Sequence, residues 1–257
     1  MKQVQKRWST FERDILTYNY GKVTYQKMEL LLPGRTWSQI RNQARHIGLT
    51  KGSNLGRKYS TNKDFFAVPN TLNSYWAGFI AADGCVTNGK LTIGIAPKDQ
   101  RHIERFVSDI SYTGKIYYRD SVVTAAISCK QYIKHLKDNF NITERKSLTL
   151  QPPNINNETL VASYIIGLID GDGSISFKRE GNVCITIYGT RFILQWVKEY
   201  FDKWTKPTNY KKSEVRDVND ARNLSYYHVC SSRARELHKI FATINVPRLA
   251  RKWDKII

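Results

Sequence analysis

The chain repeats one short pattern, an apolar helical stretch that ends in Asp-Gly. The pattern reads WAGFIAADG at 76–84 and IIGLIDGDG at 165–173, so that Asp83 and Asp172 lie 89 positions apart (172 − 83). An aspartate at the C-terminal end of a helix meets the negative end of the helix dipole, at a cost of several tenths of a kcal/mol. A glycine inside a helix costs about 1 kcal/mol more than alanine. Because both copies of the pattern carry these two unfavourable features, the fold must offset their cost elsewhere.

The surroundings of the pattern repeat as well. The first copy is followed by two strand-like runs around Asn88-Gly89, a strong hairpin signal. The second copy is followed by two such runs around 180–182. In both copies a helix, further strands and another helix come next. The sequence therefore predicts an α+β fold with two tandem αββαββα repeats, at 73–153 and 154–257.

Each apolar helix also carries two small residues four positions apart, on one helical face. They are Gly78 and Ala82 in the first helix and Gly167 and Gly171 in the second. Such strips allow two helix backbones to approach closely. If the two helices pack side by side, Asp83 and Asp172 come to one place, where two carboxylates repel unless a hard divalent cation lies between them. We therefore predict that both aspartates bind a metal ion.

The two stretches WAGFIAADG and IIGLIDGDG resemble the LAGLIDADG motif, and αββαββα is the repeat of that family. Two copies in one chain resemble a monomeric LAGLIDADG homing endonuclease, and the resemblance covers 73–257. It implies a pseudo-twofold saddle that binds double-stranded DNA and cuts one phosphodiester in each strand of a long target site. It also implies a gene carried by an intron or another mobile element. The first copy departs from the motif at Ala81, where the second copy has Asp170, a position that is usually structural in the family.

The resemblance implies a set of active-site residues. Asp83 and Asp172, together with the adjoining Gly84 and Gly173, are expected to hold Mg²⁺; Mn²⁺ is expected to substitute, and Ca²⁺ to support binding alone. A calcium loop starting at Asp170 is not favoured, because its twelfth position is glycine and not the required glutamate.

Two lysines lie at equivalent ends of the repeats. Lys146 in TERKS and Lys252 in ARKWD match the active-site lysine of the family. A basic residue there would orient water and neutralise charge that develops on the phosphate. The neighbouring Arg145 and Arg251 are competitors for this role, and a solvated surface position is the alternative for both lysines.

The strands predict a DNA-reading surface. In KLTIGI and VCITIY apolar residues alternate with polar ones, as in an antiparallel sheet with one buried face. A two-stranded ribbon fits the major groove. The residues expected to contact DNA from the polar face are Lys90, Thr92, Lys115, Arg119, Ser176, Lys178 and Arg216.

A separate module is predicted at 1–52. Ser9-x-x-Glu12 and Thr36-x-x-Gln39 have the form of helix capping boxes, which predicts three helices. The segment resembles the Myb/SANT-like helix-turn-helix modules, whose last helix enters the major groove. The residues expected to project from that helix are Arg41, Asn42 and Arg45. A three-helix module that binds protein is the alternative, and 53–72 is expected to be a basic linker.

The overall charge agrees with a polyanionic partner. The 257 residues include 41 Lys/Arg and 22 Asp/Glu, a net charge of +19, and basic groups placed on phosphates release condensed counterions. No apolar run approaches a membrane span. The N-terminus has no signal-peptide core, so we expect an intracellular protein of a bacterium, a phage-infected cell or an organelle. The four cysteines are then expected to be small buried residues rather than disulfides.

Two other functions are compatible with the same pattern. One is a DNA-binding regulator with an inactive site, which the presence of both motif aspartates disfavours. The other is an RNA maturase, since some members of the family assist splicing; the sequence offers no aromatic platform of the kind that binds single-stranded RNA. The preferred prediction is a monomeric, Mg²⁺-dependent DNA endonuclease.

Overall fold

The computed structural model of the protein describes residues 7–49, 59–177, 182–207, 213–219 and 223–254. The chain divides into two compact units, Met1–Ser60 and Thr61–Ile257. The first is helical, and the second contains both sheets. Within the described ranges, none of the helices combines the length and apolarity that crossing a bilayer requires.

In the first unit, residues 7–49 contain three helices, each begun by a polar cap. They are α1 (Thr10–Asn19), α2 (Tyr25–Leu31) and α3 (Trp37–His46). Ser9 and Glu12 form a reciprocal capping box at the start of α1, and Thr36 and Gln39 form another at the start of α3. The Thr24 side chain accepts a hydrogen bond at the start of α2. The two capping boxes are those that the sequence predicted, and all three caps satisfy amides that a helix leaves unpaired.

An ion pair ties the first unit together around a small core. The buried apolar side chains are Leu16, Tyr20, Met28, Leu32, Ile40 and Ala44. The Arg35 guanidinium donates to both carboxylate oxygens of Glu12, at 2.7 and 2.9 Å, and lies over the ring of Trp8. The bond to Arg35 lowers the pKa of Glu12 to about 2. Glu12 thus serves both as capping residue and as partner of a buried arginine, a role that its capping pattern did not indicate.

The second unit contains the two predicted repeats. The first consists of α4 (Thr71–Asp83), β1 (Gly84–Thr87), β2 (Lys90–Ile95), α5 (Gln100–Asp109), β3 (Ile116–Tyr118), β4 (Val123–Ser128), α6 (Lys130–Phe140) and α7 (Lys146–Thr149). The second consists of α8 (Glu158–Asp172), β5 (Ser174–Phe177), β6 (Val183–Gly189), α9 (Arg191–Trp204), β7 (Arg216–Asn219), β8 (Leu224–Cys230), α10 (Ser231–Ala242) and α11 (Ala250–Trp253). The order of elements is the same in both, so the predicted α+β fold class and the tandem αββαββα organisation are confirmed.

Each repeat forms one antiparallel four-stranded sheet. The strand orders are β1-β2-β4-β3 and β5-β6-β8-β7, which are equivalent. The β1–β2 turn has positive φ at Asn88 and Gly89, 48° and 74°, as the Asn-Gly hairpin signal predicts. Along β2, Leu91, Ile93 and Ile95 are buried, so one sheet face covers the core and the other remains polar.

The helices α4 and α8 pack against each other through their small residues. A Cβ added to Gly78 would lie 1.9 Å from the carbonyl oxygen of Tyr164, and one added to Gly167 would lie 2.1 Å from that of Tyr75. At Gly171 it would lie 2.2 Å from the Cβ of Ala82. These positions have no room for a side chain. The close approach inferred from the four-residue spacing is therefore present.

The segment before the first repeat differs from the linker that we expected at 53–72. Phe66 is fully buried in the core of the second unit. The amide of Asn62 donates to Ile110 O at 2.9 Å, and the Tyr132 hydroxyl donates to Asn62 O at 2.7 Å. Residues from 61 onward thus belong to the second unit, because two adjacent phenylalanines, Phe65 and Phe66, pack against it in an otherwise polar stretch.

Two of the cysteines also differ from the expectation of free, buried thiols. Cys184 and Cys230 form a disulfide between β6 and β8, where the strand register places them directly opposite each other. Cys85 is free and exposed, and Cys129 is free and buried. The two cysteines are 46 positions apart in the sequence, and only the sheet register brings them together.

Candidate active site

Asp83 and Asp172 are the last residues of α4 and α8, and both side chains reach solvent. Because the two helices pack side by side, their carboxylates lie close enough to interact. Partial burial and then the charge of Asp172 raise the pKa of Asp83. Burial also raises the pKa of Asp172. The structure thus brings together the two residues that the repeated motif singled out.

Lys146 and Lys252 lie beneath these carboxylates, and each is only 7% exposed. The Lys146 ammonium donates to the carbonyl oxygens of Ala81 and Ala82, at 2.6 and 2.7 Å. Carbonyls at the C-terminal end of a helix lack partners within the helix and form the negative end of its dipole. Lys146 therefore neutralises the end of α4 next to Asp83.

Lys252 makes the equivalent contacts at the end of α8, and it makes more of them. Its ammonium lies 2.9, 2.6, 3.2 and 2.7 Å from the carbonyl oxygens of Ile169, Asp170, Gly171 and Gly173 respectively. Burial lowers the pKa of both lysines, and nearby carboxylates oppose this by favouring the charged form. The cost of an aspartate at each helix end is thus offset in part by a lysine from the protein itself. The sequence pattern did not indicate this capping role.

The oxygen ligands at the helix ends suit a hard divalent cation. The two carboxylates repel each other, and a bound Mg²⁺ would reduce that repulsion. Mg²⁺ binds through one or two carboxylates plus water and substrate phosphate. Among the described residues no cluster of three or more His, Cys, Asp or Glu side chains could form a complete cage. The carbonyl of Gly173, expected as a ligand, accepts a hydrogen bond from Lys252. The amide of Gly84 donates to Ile80 O.

Asp170 is buried and fully hydrogen-bonded, away from solvent. Its carboxylate accepts hydrogen bonds from the Tyr75 hydroxyl, the Trp253 indole and the Leu249 amide, at 2.7, 2.7 and 3.0 Å. Since the Tyr75 hydroxyl donates to Asp170, the Nε2 atom of His102, 2.8 Å away, must donate to that hydroxyl. Burial lowers the pKa of His102 to about 4, so its ring is neutral. Asp170 thus joins α8 to residues 249–253.

The two arginines that competed with the lysines have different environments. Arg251 forms a bidentate ion pair with Asp99, both contacts at 2.6 Å. Arg145 is exposed, with a left-handed φ of 57°, immediately before α7. Neither arginine contacts the helix ends as the lysines do, so the helix-end position belongs to Lys146 and Lys252.

Of the predicted DNA-contacting residues of the sheets, those that the structure describes lie on or next to the polar faces. Thr92 is partly buried, and Lys178 lies outside the described residues. The exposed ones are Lys90, Lys115, Arg119, Ser176 and Arg216. In the first unit, Arg41, Asn42 and Arg45 are exposed on α3.

A row of aromatic rings lies on the polar face of the second sheet and was not predicted from the sequence. The rings of Tyr188 and Tyr226 are 6.1 Å apart, and His228 stacks on Tyr226 at 5.7 Å with an interplanar angle of 7°. Arg216 donates to the Tyr226 hydroxyl at 3.5 Å. The signal was present, because Tyr226 and His228 alternate with buried residues along β8.

Comparisons with known proteins return LAGLIDADG homing endonucleases at the level of structure. I-GzeII, solved in complex with its DNA target, has a TM-score of 0.48 at 12% identity, covering 72% of this chain and 87% of that chain. I-AabMI, solved bound to uncleaved DNA, has a TM-score of 0.47 at 13% identity, covering 72% of this chain and 87% of that chain. No protein-family model matches the sequence, and no curated protein matches it.

Proposed function

We propose that this protein is a site-specific endonuclease that cuts both strands of double-stranded DNA with a divalent metal ion. The observation that carries the proposal is the duplicated centre at the paired ends of α4 and α8. Each end presents an exposed aspartate above a buried lysine that caps the same helix. Two equivalent centres related by the internal repeat suit the two antiparallel strands of a duplex.

In this proposal Asp83 and Asp172 bind Mg²⁺, with Mn²⁺ able to replace it and Ca²⁺ supporting binding without cleavage. The bound ion supplies Lewis-acid activation of the scissile phosphate and of the attacking water. Lys146 and Lys252 hold positive charge at the helix ends, where an anionic phosphodiester would otherwise meet two negative dipoles and two carboxylates.

The charge and shape of the second unit support DNA as the ligand. A cleft of about 410 Å³ is lined by basic residues of both repeats, Lys98, Arg101, Arg105, Arg248 and Arg251. Two of them, Arg105 and Arg251, are paired with Asp109 and Asp99. The polar faces of the sheets add the exposed basic residues described above, and the net charge of the chain is +19. A surface of this kind gains affinity by counterion release. We propose that the protein acts as a monomer, because one chain already contains both centres.

We propose that the first unit binds DNA beside the cleavage site. Its helix α3 exposes Arg41, Asn42 and Arg45 on one surface, and arginine and asparagine are the side chains that read guanine and adenine edges bidentately. The specified sequence would then extend on one flank of the site. The alternative, an inactive regulator or a maturase, shares the basic surface and requires neither aspartate.

Selection from a randomised duplex library tests the proposal directly. The protein is incubated with the library in Mg²⁺ and, separately, in Ca²⁺, and both bound and cut sequences are read. We expect one long site to be bound in both ions and cut in both strands only in Mg²⁺. Binding without any cleavage in Mg²⁺ or Mn²⁺ would indicate the regulator, and preference for structured RNA over duplex DNA would indicate the maturase.

A further inference from the structure

Each active-site lysine lies in a short segment that docks on the opposite repeat. We define the Lys146 segment as residues 146–150 and the Lys252 segment as residues 249–253. Each contains a single helical turn, α7 or α11. The residues that receive them are Asp99, immediately before α5, and Thr190, immediately before α9. Because α5 and α9 are equivalent helices, Asp99 and Thr190 hold equivalent positions in the two repeats.

The Lys252 segment is held by an ion pair from the first repeat. Both carboxylate oxygens of Asp99 accept from Arg251, the residue next to Lys252, at 2.6 Å. The Asp99 side chain is 8% exposed, and that of Arg251 is 43% exposed. The bond to Arg251 lowers the pKa of Asp99. A bidentate, charge-assisted pair of this geometry fixes orientation as well as distance.

The Lys146 segment is held by neutral groups from the second repeat. The Thr190 hydroxyl donates to Leu150 O at 2.7 Å in a buried contact. The Asn223 amide donates to Leu148 O, also at 2.7 Å. The two segments are thus fixed at equivalent places by different chemistry, a carboxylate in one case and a hydroxyl in the other.

We propose that Asp99 and Thr190 are positioning residues, each acting on the lysine of the other repeat. Asp99 acts on Lys252 through Arg251, and Thr190 acts on Lys146 through the backbone of Leu150. A lysine side chain has four flexible carbon–carbon bonds, so anchoring its backbone restricts where the ammonium can lie. The catalytic part of this inference rests on the proposed function; the docking part does not. As a consequence, the lysine of each centre depends on a positioning residue that belongs to the other repeat.

Chemical labelling tests the docking part without any cleavage. An amine-reactive reagent modifies exposed lysines faster than buried ones, and peptide mass spectrometry reports each site separately. We expect Asp99→Asn to increase the labelling rate of Lys252 and leave that of Lys146 unchanged, and Thr190→Val to do the reverse. Asp138→Asn is the matched control, because it also removes one negative charge and breaks an ion pair, that with Lys134 on the exposed face of α6. It should change neither rate.

Strand-resolved cleavage tests the catalytic part. With a duplex labelled on both strands, saturating protein and Mg²⁺, Asp99→Asn should slow one strand about tenfold, or ~1.4 kcal/mol in barrier height. Lys252→Met should slow that same strand. Thr190→Val and Lys146→Met should both slow the opposite strand, while Asp138→Asn cuts both strands at the wild-type rate. Asp99→Glu, which keeps the carboxylate, should recover part of the loss.

A double variant separates positioning from general damage to the fold. If Asp99 acts through Lys252, adding Asp99→Asn to Lys252→Met should slow that strand no further. Equal slowing of both strands by Asp99→Asn, or full additivity with Lys252→Met, would overturn the catalytic part. If Asp99→Asn does not fold, Arg251→Lys gives the same comparison. Unchanged labelling in both positioning variants would overturn the docking part. If labelling changes in the variants but the wild-type protein never cuts DNA, only the proposed endonuclease is refuted.

Discussion

Enlarging a glycine at the α4–α8 interface should separate the helices that carry the two aspartates. In Gly167→Ala the new methyl group would lie 2.1 Å from Tyr75 O and 2.6 Å from Phe79 N. Both obstacles are backbone atoms, so no side chain can move aside. Overpacking of a core costs about 1–3 kcal/mol or more, and alanine returns about 1 kcal/mol of helix propensity. Since the overlap exceeds 1 Å and involves a whole helix, we take the upper end of the steric cost and expect a net loss of about 2 kcal/mol.

Gly171 offers a matched comparison within the same interface. A methyl group there would meet the Cβ of Ala82 at 2.2 Å, and the next atom, Asp83 N, only at 3.4 Å. Gly171→Ala alone should therefore destabilise the protein, and Ala82→Gly should rescue it by removing the obstructing atom. In the double variant the helix propensities cancel, because one helix gains an alanine as the other loses one. Any remaining difference in stability between the double variant and the wild type is therefore due to packing at the interface.

Urea denaturation followed by circular dichroism and tryptophan fluorescence measures these differences. We expect Gly167→Ala to unfold at clearly lower urea, Gly171→Ala at moderately lower urea, and the double variant within about 0.5 kcal/mol of the wild type, as for a volume-conserving exchange. If Gly167→Ala is as stable as the wild type, or if Ala82→Gly does not rescue Gly171→Ala, the helices are not in the close contact described here.

Three further predictions concern the site, the first unit and its ion pair. Asp83→Asn and Asp172→Asn should each abolish double-strand cleavage, because each removes a metal ligand. DNA affinity in Ca²⁺, measured by filter binding, should stay near the wild-type value, because no phosphate contact is lost. Cleavage at the wild-type rate by either variant would contradict the assignment. Deleting residues 1–58 should weaken binding, reduce the salt slope and shorten the specified site, with the same two bonds cut; the deletion retains Phe66, which the second unit needs. The Glu12 carboxyl has its pKa lowered from 4.5 to about 2 in the folded protein, so its stabilising effect is complete above pH 4.5 and is lost as pH falls towards 2. An acid titration of the first unit by circular dichroism should show this loss, and Glu12→Gln should remove that pH dependence.

The sequence alone determined the repeat, the fold class and the residues at the helix ends. These follow from local patterns, since hydrophobic periodicity, an Asn-Gly turn and capping boxes act over a few neighbouring positions. The repeated Asp-Gly stop also identified Asp83 and Asp172, because a second copy in matched context is not expected by chance.

Only the tertiary structure decided which groups offset the cost of those aspartates. Lys146 and Lys252 were found by their place in the repeat, but their contacts with helix-end carbonyls span more than sixty residues of sequence. The Asp99–Arg251 pair spans 152 residues. The Cys184–Cys230 disulfide likewise depends on the register of two strands. Such contacts depend on how elements far apart in the sequence pack together, and local sequence patterns do not specify that packing.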